Sequence, residues 1–419
     1  MGLPVPPLTE SGTVLCVLFL LTVPFAAMAI ALMNTGLGRS RSAAHSMLAA
    51  LCTIGVAALV YLVIGFAWQG TAGGPAYSFA AKGHTWNWLA GERFFLRGVA
   101  LDGSAASLIV WLQIMSVGIA ALIPLGSGID RWRLGASCAS AALLAGITYP
   151  VFAHWVWGGG WLAQIGLRDA GGSSVIHATG GLTALAIAWI LGPRRGKYAS
   201  GGMPAAMPGH NAVLVLLACL LASVGWTGLN CAGAILFAGL PPARMVLPAI
   251  NTLLSGGVAG LAAGMITALR FGRPDASLCA NGWVGGLVAG SASCAFVPPP
   301  IAMLIALAAG ALVVFSVEWF DLHLGVDDPG GAISAHGMAG LWGTLALGIF
   351  TGQWLPQFVG VATLIGFVLP LSYGLNWLLN RFHAQRVVPE GERQGLDLYE
   401  LGAGAYPEFV THRDDFSRP

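Results

Sequence analysis

Two stretches decide the fold: Asp169-Ala-Gly-Gly-Ser-Ser-Val-Ile-His177-Ala-Thr-Gly-Gly181 and Asp328-Pro-Gly-Gly-Ala-Ile-Ser-Ala-His336-Gly-Met-Ala-Gly340. Both satisfy D-x-G-G-x4-H-x3-G, and in both the aspartate precedes the histidine by eight residues. The first opens the fifth long apolar run of the chain and the second opens the tenth. A separation of five runs is odd, so in a membrane the second copy enters from the opposite face. Such an inverted repeat puts its functional groups near mid-membrane, where the halves meet. Eight helical residues cover about 12 Å. Each aspartate therefore belongs near one surface, at a helix N-terminus whose free N–H groups a carboxylate caps. Each histidine lies about two turns deeper, and entry from opposite faces brings both to a similar depth. An ionisable side chain inside a span is itself the mark of a functional site, and imidazole exchanges protons near neutral pH.

The composition agrees with a membrane setting. Of 419 residues, 56% are hydrophobic and 9% charged, and mean hydropathy is +0.77. A soluble domain carries about 25% charged residues, so a soluble enzyme, a nucleic-acid-binding protein and a disordered scaffold are excluded together. A net charge of +2 gives no pull towards a polyanion. Runs long enough to span a bilayer fall at 11–34, 44–68, 103–127, 135–156, 173–192, 211–237, 245–269, 279–298, 300–319, 332–351 and 357–380. They predict an all-α polytopic membrane protein of eleven transmembrane helices, an inverted five-helix repeat plus one extra helix. The transmembrane unit occupies 1–380, with repeat halves at about 11–192 and 211–351 and the extra helix at 357–380; a tail covers 381–419. No basic residue precedes the first run, which is not read as a signal peptide. The 60 glycines suit close helix packing. The seven cysteines form no CxxC pair and read as small buried hydrophobes.

Basic residues set the orientation. With the N-terminus outside, 14 of the 19 lysines and arginines fall in inner loops and tail, from Arg39 and Arg41 to Arg413 and Arg418. The five outer ones are Lys82, Arg93, Arg97, Arg168 and Arg244. The expectation is a multi-pass protein of the inner (plasma) membrane with a cytoplasmic C-terminus. Trp155 and Trp161 read as members of an interfacial aromatic belt. Glu318 and Asp321 read as solvated or capping residues. A metal site needs at least three protein ligands. The only further histidines in spans, His45 and His154, have no acid at ligand spacing, so neither a metal nor a cofactor is expected.

These segments lie within a wider set of motifs. They include Asn34-Thr-Gly-Leu-Gly-Arg-Ser-Arg-Ser42, His154-Trp-Val-Trp157-Gly-Gly-Gly160, Gly225-Trp-Thr-Gly-Leu-Asn230, Asn281-Gly-Trp-Val-Gly-Gly-Leu-Val-Ala289 and Cys294-Ala-Phe-Val297. The tail adds Gly395-Leu-Asp397-Leu-Tyr-Glu-Leu-Gly-Ala-Gly-Ala-Tyr406. In this order the chain resembles the ammonium transporter family (Amt/Mep/Rh), along nearly its whole length. The resemblance implies a homotrimer with one pore per subunit. Ammonium is recruited at an outer vestibule and deprotonated, and ammonia passes twin histidines, here His177 and His336. It makes Trp157 the vestibule tryptophan, whose ring face holds a cation, and Asp169 the family's aspartate. It also implies a PII-type regulatory partner at the tail.

The sequence departs from the family at three places. The two stacked phenylalanines that usually close the outer pore align with Ser116 and Leu229. A serine common in the vestibule aligns with Gly233, and the tail's charged triplet aligns with Leu401-Gly402-Ala403. A weaker cation site and a wetter pore follow as expectations, with Ser116 offering an oxygen in place of a ring. Two other readings stay open: an ammonium sensor that conducts little, and an electroneutral Rh-like gas channel. An intramembrane metalloenzyme would need ligands that the sequence does not supply.

Overall fold

The computed structural model describes residues 8–198 and 203–406. The expected end of the tail, 407–419 with Arg413 and Arg418, lies outside the described residues. In a bilayer every backbone N–H and C=O needs an internal partner, which leaves helices as the solution for runs this apolar. Among the described residues ten helices are long and apolar enough to cross: α1 (Glu10–Leu37), α2 (Ser40–Gln69), α3 (Ala105–Gly128), α4 (Leu134–Gln164), α5 (Ser173–Leu191), α6 (Ala212–Leu236), α7 (Pro242–Phe271), α9 (Pro299–Leu322), α10 (Ile333–Thr351) and α11 (Trp354–Phe382). The remaining long helix, α8 (Ala276–Ser293), has 18 residues, most of them buried among its neighbours. It meets protein instead of lipid, so it tolerates more glycine and serine. The helices begin at side-chain caps where the chain supplies them: Thr9, Ser104, Asn211 and Asp275 each accept from an N–H three residues on.

The eighth span differs from its expected limits of 279–298. It ends at Ser293 because its last carbonyls are taken by another segment. Gly171 N–H donates to Ser291 O at 3.0 Å and Ala170 N–H to Ala292 O at 3.3 Å. The expected loop at 69–102 holds an antiparallel hairpin, β1 (Tyr77–Ala81) and β2 (His84–Leu89). It docks on the end of α4: Gln164 Oε1 accepts from Asn87 N–H at 2.9 Å, and Trp155 Nε1 donates to Trp88 O at 2.7 Å. This corrects the aromatic-belt reading of Trp155. The residue is 1% exposed and packs edge-on against Trp161 and Phe152 under the hairpin. The belt pattern misleads here because the hairpin covers the ring that lipid headgroups would otherwise meet.

Successive helices alternate direction, so the molecule has a hairpin face and a tail face. The tail face is held by buried ions. Asp327 accepts from Arg194 Nε at 2.9 Å, Arg194 Nη2 at 3.0 Å and Arg194 N–H at 2.8 Å. Arg131 donates to Asp327 O and to Gly192 O, both at 2.8 Å. Burial alone would raise the Asp327 pKa, but the hydrogen bonds and charge of Arg194, with Arg131, outweigh it and hold the carboxyl below the usual carboxylate range. Burial of Arg131 pulls its pKa down to about 10. Asp321 and Glu318 are ion-paired on this face, with Lys197 at 2.9 Å and Arg270 at 2.6 Å, and so are more than solvated ends.

The tail folds back onto the same face. Asp397 accepts from Ala44 N–H at 3.1 Å and His45 N–H at 2.7 Å, capping the start of α2. Glu400 Oε2 accepts from Leu134 N–H at 2.9 Å and lies 2.7 Å from His45 Nε2, capping α4. Gly395 has φ +98°, and a side chain there would strike Arg41.

Breaking a buried ion pair by removing one partner costs about 3–5 kcal/mol. Asp327→Ala is therefore expected to lower the unfolding temperature in detergent markedly. In the parent protein the same contribution is present above the ordinary carboxylate range and is lost as pH falls through the lowered pKa of Asp327, which a stability–pH profile checks. Asp397→Ala is expected to release the tail while leaving the helix bundle folded, seen as faster proteolysis within residues 387–406.

Candidate functional site

Helices α5 and α10 both begin with a π-helical turn, Ser173–Ala178 and Ile333–Met338, and each turn carries its histidine. Such turns recur at functional sites because they aim a side chain that a regular helix would not. The first turn is organised by Asp169. Its Oδ1 accepts from Gly172 N–H at 2.7 Å and Ser173 N–H at 3.1 Å; its Oδ2 accepts from Ser174 N–H at 2.7 Å and Ser174 Oγ at 2.6 Å. Both oxygens are occupied in this buried cap. The structure thus places Asp169 under the histidine-bearing turn, as a positioning residue. On the tail face Asp328 holds the second turn, accepting from Ile333 N–H and Ser127 Oγ, both at 2.7 Å.

The final glycine of each motif lies at the crossing of α5 and α10. A Cβ on Gly181 would strike the backbone of His336 and Gly337, and one on Gly340 would lie 2.6 Å from Ser173 O and 2.9 Å from Ala178 N. With no side chain there the backbones touch, and the histidine rings are brought together. His177 Nδ1 and His336 Nδ1 are 3.4 Å apart, with ring centroids at 5.4 Å. Both residues are buried, and His177 Nε2 has no partner.

Helix α6 supplies the wall. Trp226, Asn230, Gly233 and Phe237 follow one another at four, three and four residues, one stripe of a helix face. At one end of the stripe His177 stacks on Trp226, centroids 5.1 Å apart and planes 11° apart. At the other, Trp157 stacks on Phe237 at 4.3 Å and 6°. The Trp157 Nε1–H donates to Asp169 O at 2.7 Å. Trp157 and Phe237 lie on the hairpin face of the histidines, about 16 Å along α6 from Trp226. Ser116 is buried on α3, its Oγ without a partner, close to the Tyr149–Gln113 hydrogen bond of 2.5 Å. Leu229 is buried on α6.

The structure thus brings His177 and His336 together, with Trp157 nearer the hairpin face and hydrogen-bonded to Asp169 O. The Trp157 ring is not an open aromatic face. Phe237, which covers it, escaped the sequence reading, although its spacing of 11 residues from Trp226 is three helical turns and was a usable signal. No group of three or more His, Cys, Asp or Glu side chains suited to a metal occurs among the described residues.

Fold and site define a multi-pass helical membrane protein with a buried histidine pair where two oppositely directed half-motifs cross. The sequence matches the model of the Ammonium Transporter Family over residues 14–406, and the chain belongs to that family. It is 34% identical to the Ammonium transporter Amt2 of Archaeoglobus fulgidus, over 93% of this chain and 86% of that one. It is 28% identical to the Ammonium transporter of Bacillus subtilis, over 90% and 94%. Among solved structures, the Sensor Amt Protein superposes with a TM-score of 0.85 at 26% identity, covering 93% of this chain and 98% of that one. Candida albicans Mep2 shares the fold, with a TM-score of 0.80 at 21% identity over 98% and 93%. The two sequence relatives are named as ammonium transporters, a non-enzymatic class, and this chain is not an enzyme.

Gly340→Val is expected to force α5 and α10 apart, whereas Gly340→Ala tests how far the crossing yields. Loss of the monodisperse detergent-extracted protein with valine, and retention with reduced thermal stability with alanine, would be read by size-exclusion chromatography.

Proposed function

We propose that the protein moves ammonium across the plasma membrane by deprotonating it, passing ammonia between the two histidines and carrying the released proton across by a separate route, so that ammonium is re-formed inside and one net charge crosses. The observation that carries this reading is the 3.4 Å approach of His177 Nδ1 to His336 Nδ1 inside an apolar bundle. Neutral imidazole has one donor and one acceptor nitrogen. If the two Nδ1 atoms share one hydrogen, one Nε2 is left as an acceptor and the other as an N–H donor. Ammonia offers both N–H groups and a lone pair, so it can satisfy the two in turn. Potassium offers neither and keeps its charge, and a bare ion in the membrane interior costs several kcal/mol or more. Selection therefore rests on proton chemistry, not on radius.

In this reading the hairpin face is outward and the tail face cytoplasmic. Of the basic residues in the described part, 12 lie on the tail face and five on the hairpin face, which supports that orientation. Trp157 serves the entrance, and Ser116 Oγ offers an oxygen on the way in. The reading extends to a homotrimer and to a PII-type protein at the docked tail, both supported by the family relationship alone. A second reading, an ammonium sensor, draws support from the likeness to the Sensor Amt Protein.

Currents in a planar bilayer or oocyte with ammonium, methylammonium and potassium separate these cases. Ammonium and methylammonium currents without potassium current are expected of a transporter. Binding with no flux would favour the sensor, and flux without current a gas channel. The double variant His177→Leu/His336→Leu is expected to lose selective flux by at least tenfold. Unchanged flux with potassium still excluded would remove the histidines from the mechanism.

A further inference from the structure

The outer end of the proposed pathway is closed by an aromatic pair, not by the open tryptophan face the sequence suggests. At 4.3 Å and 6° the rings of Trp157 and Phe237 are in parallel contact, leaving no room between them for an ion. The two partners are held differently. Trp157 is 8% exposed and is pinned through Nε1 to Asp169 O. Phe237 is only partly buried and forms the C-terminal cap of α6, outside its last regular turn. Two residues on, Gly239 has φ +64° with open space around it. The movable partner is therefore Phe237.

The neighbouring residues account for the closure. A Cβ on Gly233 would strike Ala170 O, so the loop carrying Asp169 and Ala170 fills the place where a hydroxyl would stand. That loop draws Trp157 towards α6, and Phe237, one turn beyond Gly233, covers it. Deeper in, Ser116 Oγ and His177 Nε2 are buried without partners, atoms that a small N–H-bearing solute can satisfy.

We infer that Phe237 is the entrance gate of this chain: its ring occupies the Trp157 face that a small ammonium-type monocation takes on entry, and it must swing off that face before the cation binds. The cation and the phenyl ring compete for the same π surface. The apparent affinity is then reduced by the fraction of molecules in which the stack is open.

The inference rests on the transport reading for one arm of its test and is independent of it in the other. In proteoliposomes, Phe237→Ala is expected to lower KM for ammonium by about 2- to 12-fold, the range that corresponds to one aromatic stack. Phe237→Tyr restores a ring and is expected to return KM towards that of the parent. Phe237→Leu serves if the alanine variant does not fold. In the second arm, acrylamide quenching of the Trp157 emission, obtained by difference against Trp157→Phe, is expected to rise when the ring at 237 is removed. Unchanged quenching overturns the gate, as does an unchanged or higher KM in a protein that carries flux. If even the parent protein carries no flux, the transport reading fails and quenching alone decides the gate.

Discussion

The structure depends on one contact, the backbone crossing of α5 and α10 where the last glycine of each motif stands. Interior packing in a membrane has little hydrophobic driving force between helices, so close approach and interlocking carry the association. At this crossing the gain is geometric as well. Two helices that enter from opposite faces can meet only near their middles, and each brings a histidine two turns from its start. Any side chain at Gly181 or Gly340 would meet backbone, which cannot move aside as a flexible side chain can. The histidine spacing is therefore set by main-chain contact, the stiffest element available.

Around this crossing, polar groups serve the backbone more than the solute. Asp169 is a buried carboxylate, a costly choice unless fully hydrogen-bonded, and Asp328 a half-buried one; both are spent on holding the turns that aim the histidines. The same logic governs the tail face. Arg131 and Arg194 join the ends of α3 and α5 to the start of α10 through Asp327, while Asp397 and Glu400 cap α2 and α4 from the tail. Movement of the tail would thus uncap two helices at once. This gives a physical route by which events at the tail reach the bundle.

The family's closing phenylalanines are absent at Ser116 and Leu229, and the sequence alone points to a more open entrance. On the proposed pathway the entrance is closed by other means. Removing a side chain at Gly233 lets a loop approach, the loop positions Trp157, and a phenylalanine one turn further along α6 lies on it. Loss of rings at one level is accompanied by a stack nearer the hairpin.

Much of this was legible in one sequence. Charge scarcity requires a membrane, the runs of apolar residues require helices, and an odd number of spans between matching motifs requires opposite entry. These are properties of composition and period, which survive without knowledge of neighbours. The meeting of His177 with His336 was legible for the same reason, since equal spacing from opposite surfaces leads to equal depth. What the tertiary structure alone decided is which faces are covered and by what. The early end of α8, the burial of Trp155 beneath the hairpin, the occupied oxygens of Asp169 and the Phe237 ring on Trp157 all arise from segments far apart in the chain. Their packing depends on whether a backbone can approach within contact distance, and that distance is set by the assembled neighbours and not by the local run of residues.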